Sequence, residues 1–566
     1  MQSAGQIDGK QKENCYVFDF APDRALKVIS ESHNLTKKGK SSDDKLKDTL
    51  TIFMNYCPVI AINGTKMEPY NANSLMRQIK RISIDAAIKS GFEDDSIYKV
   101  DAGIVMDERD KEFFEALKAR LNAHAKTKRE TKVTIADNGL SDEDYKKAVA
   151  VEHKPAKNLT PEQLELREKL KAQRKQQQAF FGLLRNISIR LPLLIYGADV
   201  DITESLPLIR FTEIVDDESW KEFMPQDVDK DLFKRSIKYF DEDVLMAAGL
   251  RIRRLAKQAD EYPPTERVKR ITDIIGHFRN PDKETVLTPW RVVNMHLSDT
   301  IGGYCFLNEK FDAKDPLEEP RYVSQGDVTE HLFGNRDSKI LEINSKSGLY
   351  PLYVAYSLYR KRLPKKEEDL TFEEQSAIWN QVLKDNVFVL CKTTMAEKIT
   401  KRTLAGFTKA QTNTHYQPHL LERMQEDMDW VVKKITNPAI WGKEGERMKF
   451  DAIVGNPPYQ VEGKGDSNAK NSIYHLFIDL AIKISKINTL IHPARFLFNA
   501  GNTPQEWNEK ILNDEHFSVV KYFADSQEVF PSVDIKGGVA VTIYNKNEKY
   551  KPVHIFTAIS ELTTIL

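Results

Sequence analysis

The sequence predicts an α/β protein: a doubly wound, mostly parallel sheet in the carboxyl-terminal half, preceded by a mainly helical amino-terminal half. Three observations carry this. After about Pro281, short apolar runs alternate with amphipathic helical stretches. Before it, from about Asp107, the composition shifts to Lys, Glu, Arg and Gln. A chain of 566 residues also exceeds what one hydrophobic core serves.

The first stretch mixes apolar runs, such as Cys15 to Phe20 and Pro58 to Ile62, with helical patterns. The charged region that follows has its clearest helix start at Thr160, where Pro161 takes the first helical position, Gln163 completes a capping box and Leu159 can staple onto Leu164. That helix runs into the basic segment Arg174-Lys175-Gln176-Gln177-Gln178, read as a solvated face before a phosphate-contacting ridge. Arg190 to Gly197 reads as a buried strand or extended run ending in a turn, although Pro192 weakens a central-strand assignment. A second helix spans Val244 to Asp260 and carries Arg251, Arg253, Arg254 and Lys257 as scaffold charges or DNA contacts.

In the carboxyl-terminal half the strand candidates are 339–343, 386–390, 450–454, 489–491 and 539–544. A helix whose face is Ile473, Leu476, Phe477, Leu480 and Ala481 follows the capping candidates Asn471 and Ser472.

Composition narrows the function. Charged residues are 30% of the chain and balance to a formal net charge of +0, so nucleic-acid binding requires a local basic patch. Four widely spaced cysteines without CxxC pairing fit a reduced, cytoplasmic protein with no structural metal site. No apolar run spans a bilayer and the amino terminus lacks a signal core.

The chemistry is concentrated in Asn456-Pro457-Pro458-Tyr459, at the end of the apolar run Phe450 to Gly455. An amino group conjugated to a purine ring is a poor nucleophile because its lone pair is delocalised. An Asn side-chain oxygen and the next backbone carbonyl can accept both amino hydrogens and return electron density to the nitrogen. Two prolines stiffen the backbone, and the tyrosine offers a ring on which a flipped base can stack. Three further segments accompany it: Thr288-Pro289 opening a helix, the strand and glycine loop Ile340 to Gly348, and the turn Val533 to Ala540 before a late strand.

In this order the four segments resemble the Thr-Pro, cofactor-loop, Asn-Pro-Pro-Tyr and late Gly-Gly motifs of the gamma class of adenine-specific DNA methyltransferases. The likeness is to those of large single-chain helicase/methyltransferase restriction-modification enzymes of the type ISP kind. The resemblance implies a Rossmann-like methyltransferase sheet, S-adenosylmethionine as cofactor, no metal, and double-stranded DNA as partner with the adenine flipped out. It implies Asn456, Pro457, Pro458 and Tyr459 at the reacting amino group. Thr288, Pro289, Glu342, Asn344 and Gly348 would lie around the cofactor, and Tyr459 and Phe530 would be stacking rings.

It also marks departures. Lys346 stands where the loop's first glycine is usual, and Cys391-Lys392-Thr393 where an acid usually binds the ribose hydroxyls. Loss of that charge-assisted bond would cost about 1.5 to 3 kcal/mol. Asn14 to Arg24 is similar to the segment that follows the motor in such enzymes. Residues 1–125 are thus expected to be a remnant of a motor region, 126–280 a helical coupler, and 281–566 the methyltransferase, with motor, nuclease and target-recognition modules on another chain or on missing parts of a longer one. Gly39-Lys40-Ser41 is expected to be a decoy for a phosphate loop, since Asn34 holds the place of its first glycine. Methylation of RNA or of a protein glutamine, and a catalytically silent coupler, are the competing expectations.

Overall fold

A computed structural model of the chain describes nearly all of residues 142–279, residues 287–461, 471–531 and 533–557, and, before these, short stretches of which 83–94 is the longest. Asn14 to Arg24, Asn34 and Gly39-Lys40-Ser41 lie outside the described residues.

The helical half is built from α1 (Pro161–Ser188), α2 (Leu191–Gly197), α3 (Asp217–Phe223), α4 (Glu242–Ala259) and α5 (Pro264–Gly276). α1 begins as the sequence predicts, with the Thr160 hydroxyl accepting from the Gln163 amide and the Gln163 side chain accepting from the Thr160 amide. α2 corrects the expectation of a strand at 190–197. Pro192 sits in its first turn, where no amide hydrogen bond is lost, and all seven residues are buried. A short helix that is apolar all round has no polar face to betray its period. Arg253 of α4 is also corrected: it is neither an exposed charge nor available to DNA. Its guanidinium is buried and donates to the carbonyls of Val200 (2.6 Å), Asp201 (2.5 Å) and Glu204 (3.3 Å).

Next come α6 (Trp290–Thr300), a hairpin of Gly303–Leu307 with Pro316–Val323, and a seven-stranded mixed sheet. In chain order its strands are β1 (Ile340–Ile343), β2 (Val387–Cys391), β3 (Asn413–Tyr416), β4 (Phe450–Gly455), β5 (Ser485–Pro493), β6 (Phe517–Phe523) and β7 (Val539–Asn545). Their spatial order is β6-β7-β5-β4-β1-β2-β3. The pairs from β3 to β5 are parallel, and β7 runs antiparallel to both neighbours. β1, β2, β4 and β7 are buried along their whole length, which is why they read as unbroken apolar runs.

The helices that position the site are α7 (Leu349–Arg362), α8 (Thr394–Ala405) and α9 (Tyr474–Ile484). α9 starts later than expected. Asn471 and Ser472 pair as a two-residue strand with Gln460–Val461, and the N-cap is Ile473 with no side-chain capping bond.

One face of the sheet shares a continuous hydrophobic core with the helical half, and the other packs on a second core with α9. The two halves also interlock in detail. Arg267 of α5 pairs with Asp260 at 3.0 Å in a buried ion pair and donates to the Thr403 carbonyl of α8 at 3.0 Å. A Cβ on Gly197 would lie 2.4 Å from Ile399 of α8, so the close approach of α2 to α8 depends on that glycine.

Candidate active site

The chain moves outward from β1 through β2 to β3, then crosses back to β4 on the other side of β1. The crevice at such a reversal, outside the carboxyl ends of the strands, is where open α/β sheets bind ligands. Here the carboxyl ends of β1 and β4 bring the segments 342–348 and 455–459 side by side. A Cβ on Gly455 would stand 3.4 Å from Glu342 Cγ, and its φ of 150° lies in the region that favours glycine.

Asn456 is held from a third segment. Its Nδ2 donates to the Thr288 hydroxyl at 3.0 Å, and Thr288 is buried just ahead of Pro289, the N-cap of α6. This bond fixes the amide so that Oδ1 is the free end. That oxygen is buried and, among the described residues, has no donor. Pro457 is buried and Pro458 half-buried; the amide of Ile473 donates to the Tyr459 carbonyl at 3.1 Å and ties the loop down. Burial pushes the Tyr459 hydroxyl well above its ordinary pKa, against a smaller lowering effect of the nearby Asn456 side chain, with which it has no hydrogen-bond geometry. Phe530 is fully buried and meets Tyr459 edge-to-face, with centroids 6.4 Å apart at 64°, so the two rings touch each other.

Beside this lies a second set of acceptors. Glu342 is buried, and desolvation pushes its carboxyl up to about 8 against a smaller opposing hydrogen bond from Ser345. Its Oε2 and the Oδ1 of Asn344 are buried without donors among the described residues. Asn344 adopts φ 68°, which Asn tolerates better than most side chains. Gly348 has φ 76°, and a Cβ there would be 3.1 Å from Thr403 Cβ and 3.2 Å from Thr400 Cα; it lets the loop press against α8. Lys346 is half-buried.

At the end of β2, Cys391 is fully buried and desolvation holds its thiol well above the ordinary range. A carboxylate from the helical half reaches this strand end, where Glu222 of α3 accepts from the Thr393 hydroxyl at 2.5 Å. Sequence reading missed Glu222, because nothing local links residue 222 to residue 393. It also missed a buried polar chain behind the site. Tyr350 meets His296 Nδ1 at 2.7 Å, His296 Nε2 meets the Thr489 hydroxyl at 2.8 Å, and that hydroxyl donates to the Thr542 carbonyl at 3.0 Å. Because Thr489 donates onward, the neutral ring carries its proton on Nε2 and the Tyr350 hydroxyl donates to Nδ1.

A cavity of about 240 Å³ opens beside Tyr459, with Gln460, Tyr474, Arg495, Asp534 and Lys536 in its wall. Among the described residues no three His, Cys, Asp or Glu side chains converge as a metal site, and no helix is long and apolar enough to cross a membrane.

Residues 385–530 match the Eco57I restriction-modification methylase family. The Eco57I segment therefore contains β2 to β6, the Asn456 loop and Phe530, whereas Thr288, Glu342 and Asn344 precede it. A protein described as an uncharacterized adenine-specific methylase, from Mycoplasma pneumoniae, is 36% identical over 107 residues, covering 18% of this chain and 25% of the relative. The chain thus spans about a quarter of the length of that curated relative.

Among solved structures, the type ISP restriction-modification enzyme LlaGI, a nuclease-deletion mutant in complex with a DNA substrate mimic, aligns at 12% identity and a TM-score of 0.38. That alignment covers 85% of this chain and 39% of LlaGI. The methyltransferase subunit of a type I restriction-modification system from Streptococcus thermophilus aligns at 13% identity and a TM-score of 0.32, covering 79% of this chain and 90% of the subunit.

Proposed function

We propose that this chain transfers a methyl group from S-adenosylmethionine to the exocyclic amino nitrogen of an adenine flipped out of DNA, as part of a restriction-modification system. The observation that carries the reading is the Asn456 Oδ1. It is a buried carbonyl oxygen with no donor among the described residues, oriented by Thr288 and placed at the strand-order reversal. An unsatisfied buried acceptor costs about 1 to 3 kcal/mol, so its persistence is explained if a ligand N–H completes it. The Asn456 oxygen and the Pro457 carbonyl accept the two amino hydrogens, and Tyr459 stacks on the base. Stacking against Phe530 as well would require the two rings to part, since they are in contact.

The residues on the β1 side fit the cofactor. Glu342 Oε2 and Asn344 Oδ1 are acceptors without donors, the chemistry that an α-ammonium group needs. When bound, S-adenosylmethionine supplies an electrophilic methyl group on a sulfonium centre. The protein holds the amino nitrogen in line with that methyl and excludes water, so the rate rests on positioning and hydrogen-bond polarisation, with no metal and no covalent enzyme intermediate. The sheet order and the antiparallel β7 support a Rossmann-like methyltransferase assignment for residues 281–566, with 126–280 as a helical coupler on its flank. The adenine-specific relative and the Eco57I match support DNA as substrate over RNA or protein.

One observation favours a silent coupler instead: β2 ends in the buried Cys391, with no carboxylate of its own to bind a ribose. Calorimetry with S-adenosylmethionine and transfer of labelled methyl groups to mixed-sequence DNA decide between the two. The expected result is cofactor binding, adenine methylation, and a loss of at least about 100-fold in rate for Asn456→Ala with the fold intact. Cofactor binding absent from a folded protein, or activity indifferent to Asn456→Ala, refutes the reading.

A further inference from the structure

The late Gly537-Gly538 turn has a physical explanation that the methyl-transfer reading does not use. Gly538, at φ 78°, would place a Cβ 2.2 Å from the Phe523 carbonyl oxygen, so it serves the β6–β7 junction. Gly537, at φ 85°, would place one 2.3 Å from Cγ of Arg495. A Cβ on Gly501 (φ 108°) would lie 3.3 Å from Arg495 Cβ. Two glycines with positive φ therefore pack against one arginine stem. The loop that contains Gly537 is joined to the end of β5 by the Ala494 amide, which donates to the Gly538 carbonyl at 3.0 Å.

What is held this way is an exposed guanidinium with no hydrogen-bond or ion-pair partner among the described residues. It lines the cavity beside Tyr459, as does Lys536, an exposed ammonium that is likewise unpaired among the described residues; Asp534 is the carboxylate in that wall. Both glycines are also favoured by their own positive φ, and their missing Cβ atoms leave the room that the Arg495 stem occupies. On a chain whose formal net charge is +0, two unpaired cations at one cavity mouth are the local basic patch that nucleic-acid binding requires.

We propose that Arg495, with Lys536, forms a phosphodiester clamp at the mouth of the Tyr459 cavity, gripping the backbone of the strand whose base enters it. The proposal rests on the DNA reading above. Its chemistry is that of a planar guanidinium, which binds two phosphate oxygens at once, positioned in advance by its packing.

The test is binding of the full chain to a fluorescent mixed-sequence DNA duplex across a series of salt concentrations, with melting curves to verify folding. Arg495→Gln should weaken binding about tenfold and lower the salt slope by about one phosphate's worth. Gly537→Ala keeps the charge but displaces the arginine, and should lower the slope similarly. Lys314→Gln, an exposed cation of the 303–323 hairpin, should leave it unchanged.

DNA binding by the native chain with an unaltered slope in a folded Arg495→Gln protein overturns the clamp and leaves the methyl-transfer reading standing. Equal losses in the Lys314→Gln control, or loss of inorganic-phosphate binding without loss of DNA binding, also overturn it, because the site is then non-specific or serves free phosphate. Failure of the native chain to bind DNA at all overturns both.

Discussion

Glu342→Gln tests the cofactor side of the site most directly, because it separates a titration from a shape. Glu342 and Gln differ little in size, but burial raises the native carboxyl to about 8 from an ordinary 4.5. At pH 6.5 the group is therefore almost wholly protonated, while an α-ammonium, with an ordinary pKa of about 7.7 to 8.0, remains charged. An ammonium docked against Glu342 Oε2 favours the ionised carboxylate and lowers its pKa. Binding S-adenosylmethionine at pH 6.5 should thus release close to one proton. Titration calorimetry in buffers of differing ionisation enthalpy reads that number as the slope of apparent enthalpy, and Glu342→Gln should flatten it and weaken binding.

The sign of the stability effect follows from the same shift. A carboxyl raised in the folded state contributes stability that is complete below about pH 4.5 and is lost as pH rises to about 8, at roughly 1.4 kcal/mol per pH unit. Glu342→Gln removes that decline. Proton release of zero in the native protein despite cofactor binding, or the same release in Glu342→Gln, would refute the assignment.

Two further predictions concern the fold that carries the site. Burial lowers His296 to about 3 and His492 to about 4, so both contribute stability present above about pH 6.5 and lost as pH falls, together about 2.7 kcal/mol per pH unit between pH 6 and 5. Urea unfolding in the Glu342→Gln background should show this decline without the opposing carboxyl, and His296→Gln should halve it; an unchanged slope would exclude the neutral, Nε2-protonated His296 that links Tyr350 to Thr489. Arg267→Met leaves Asp260 buried without its cation and the Thr403 carbonyl without a donor, and should cost on the order of 3 to 5 kcal/mol. Because the helical half and one face of the sheet share a core, the loss should appear as one shifted transition in urea, whereas a separate early transition of the helices alone would contradict that.

The parts of the fold legible in the sequence are those whose burial is uniform. β1, β2, β4 and β7 could be read because a strand covered on both faces becomes a largely apolar run, whereas only residues 489–491 of β5 are legible, its other positions including Lys486, Asn488 and His492. The same rule misleads at α2, where seven buried residues look identical whether the chain is helical or extended. It is silent at β3, the edge strand Asn-Thr-His-Tyr, where the Asn413 side chain donates to the carbonyls of Leu383, Lys384 and Val387 instead of joining an apolar run. The site divides along a similar line. The Asn456 loop is local and stiff, so its acceptor geometry is written in adjacent residues. Its orientation depends on Thr288, its neighbour Gly455 on Glu342, and the carboxylate that holds Thr393 on residue 222, none of which has a local signal.

Gly537 shows what this difference costs an interpreter of sequence. In the chain it is half of a glycine pair that reads as a turn into a late strand, and the turn is real. Yet only Gly538 is required by the strand, because only its Cβ would strike the backbone of β6; the Cβ of Gly537 would strike an arginine 42 positions earlier. Two adjacent glycines thus answer to different constraints, one of the fold and one of a side chain aimed at the Tyr459 cavity. Alanine at either position is strained by its positive φ, but alanine at 538 should act through the β6 backbone alone, whereas alanine at 537 should also displace Arg495.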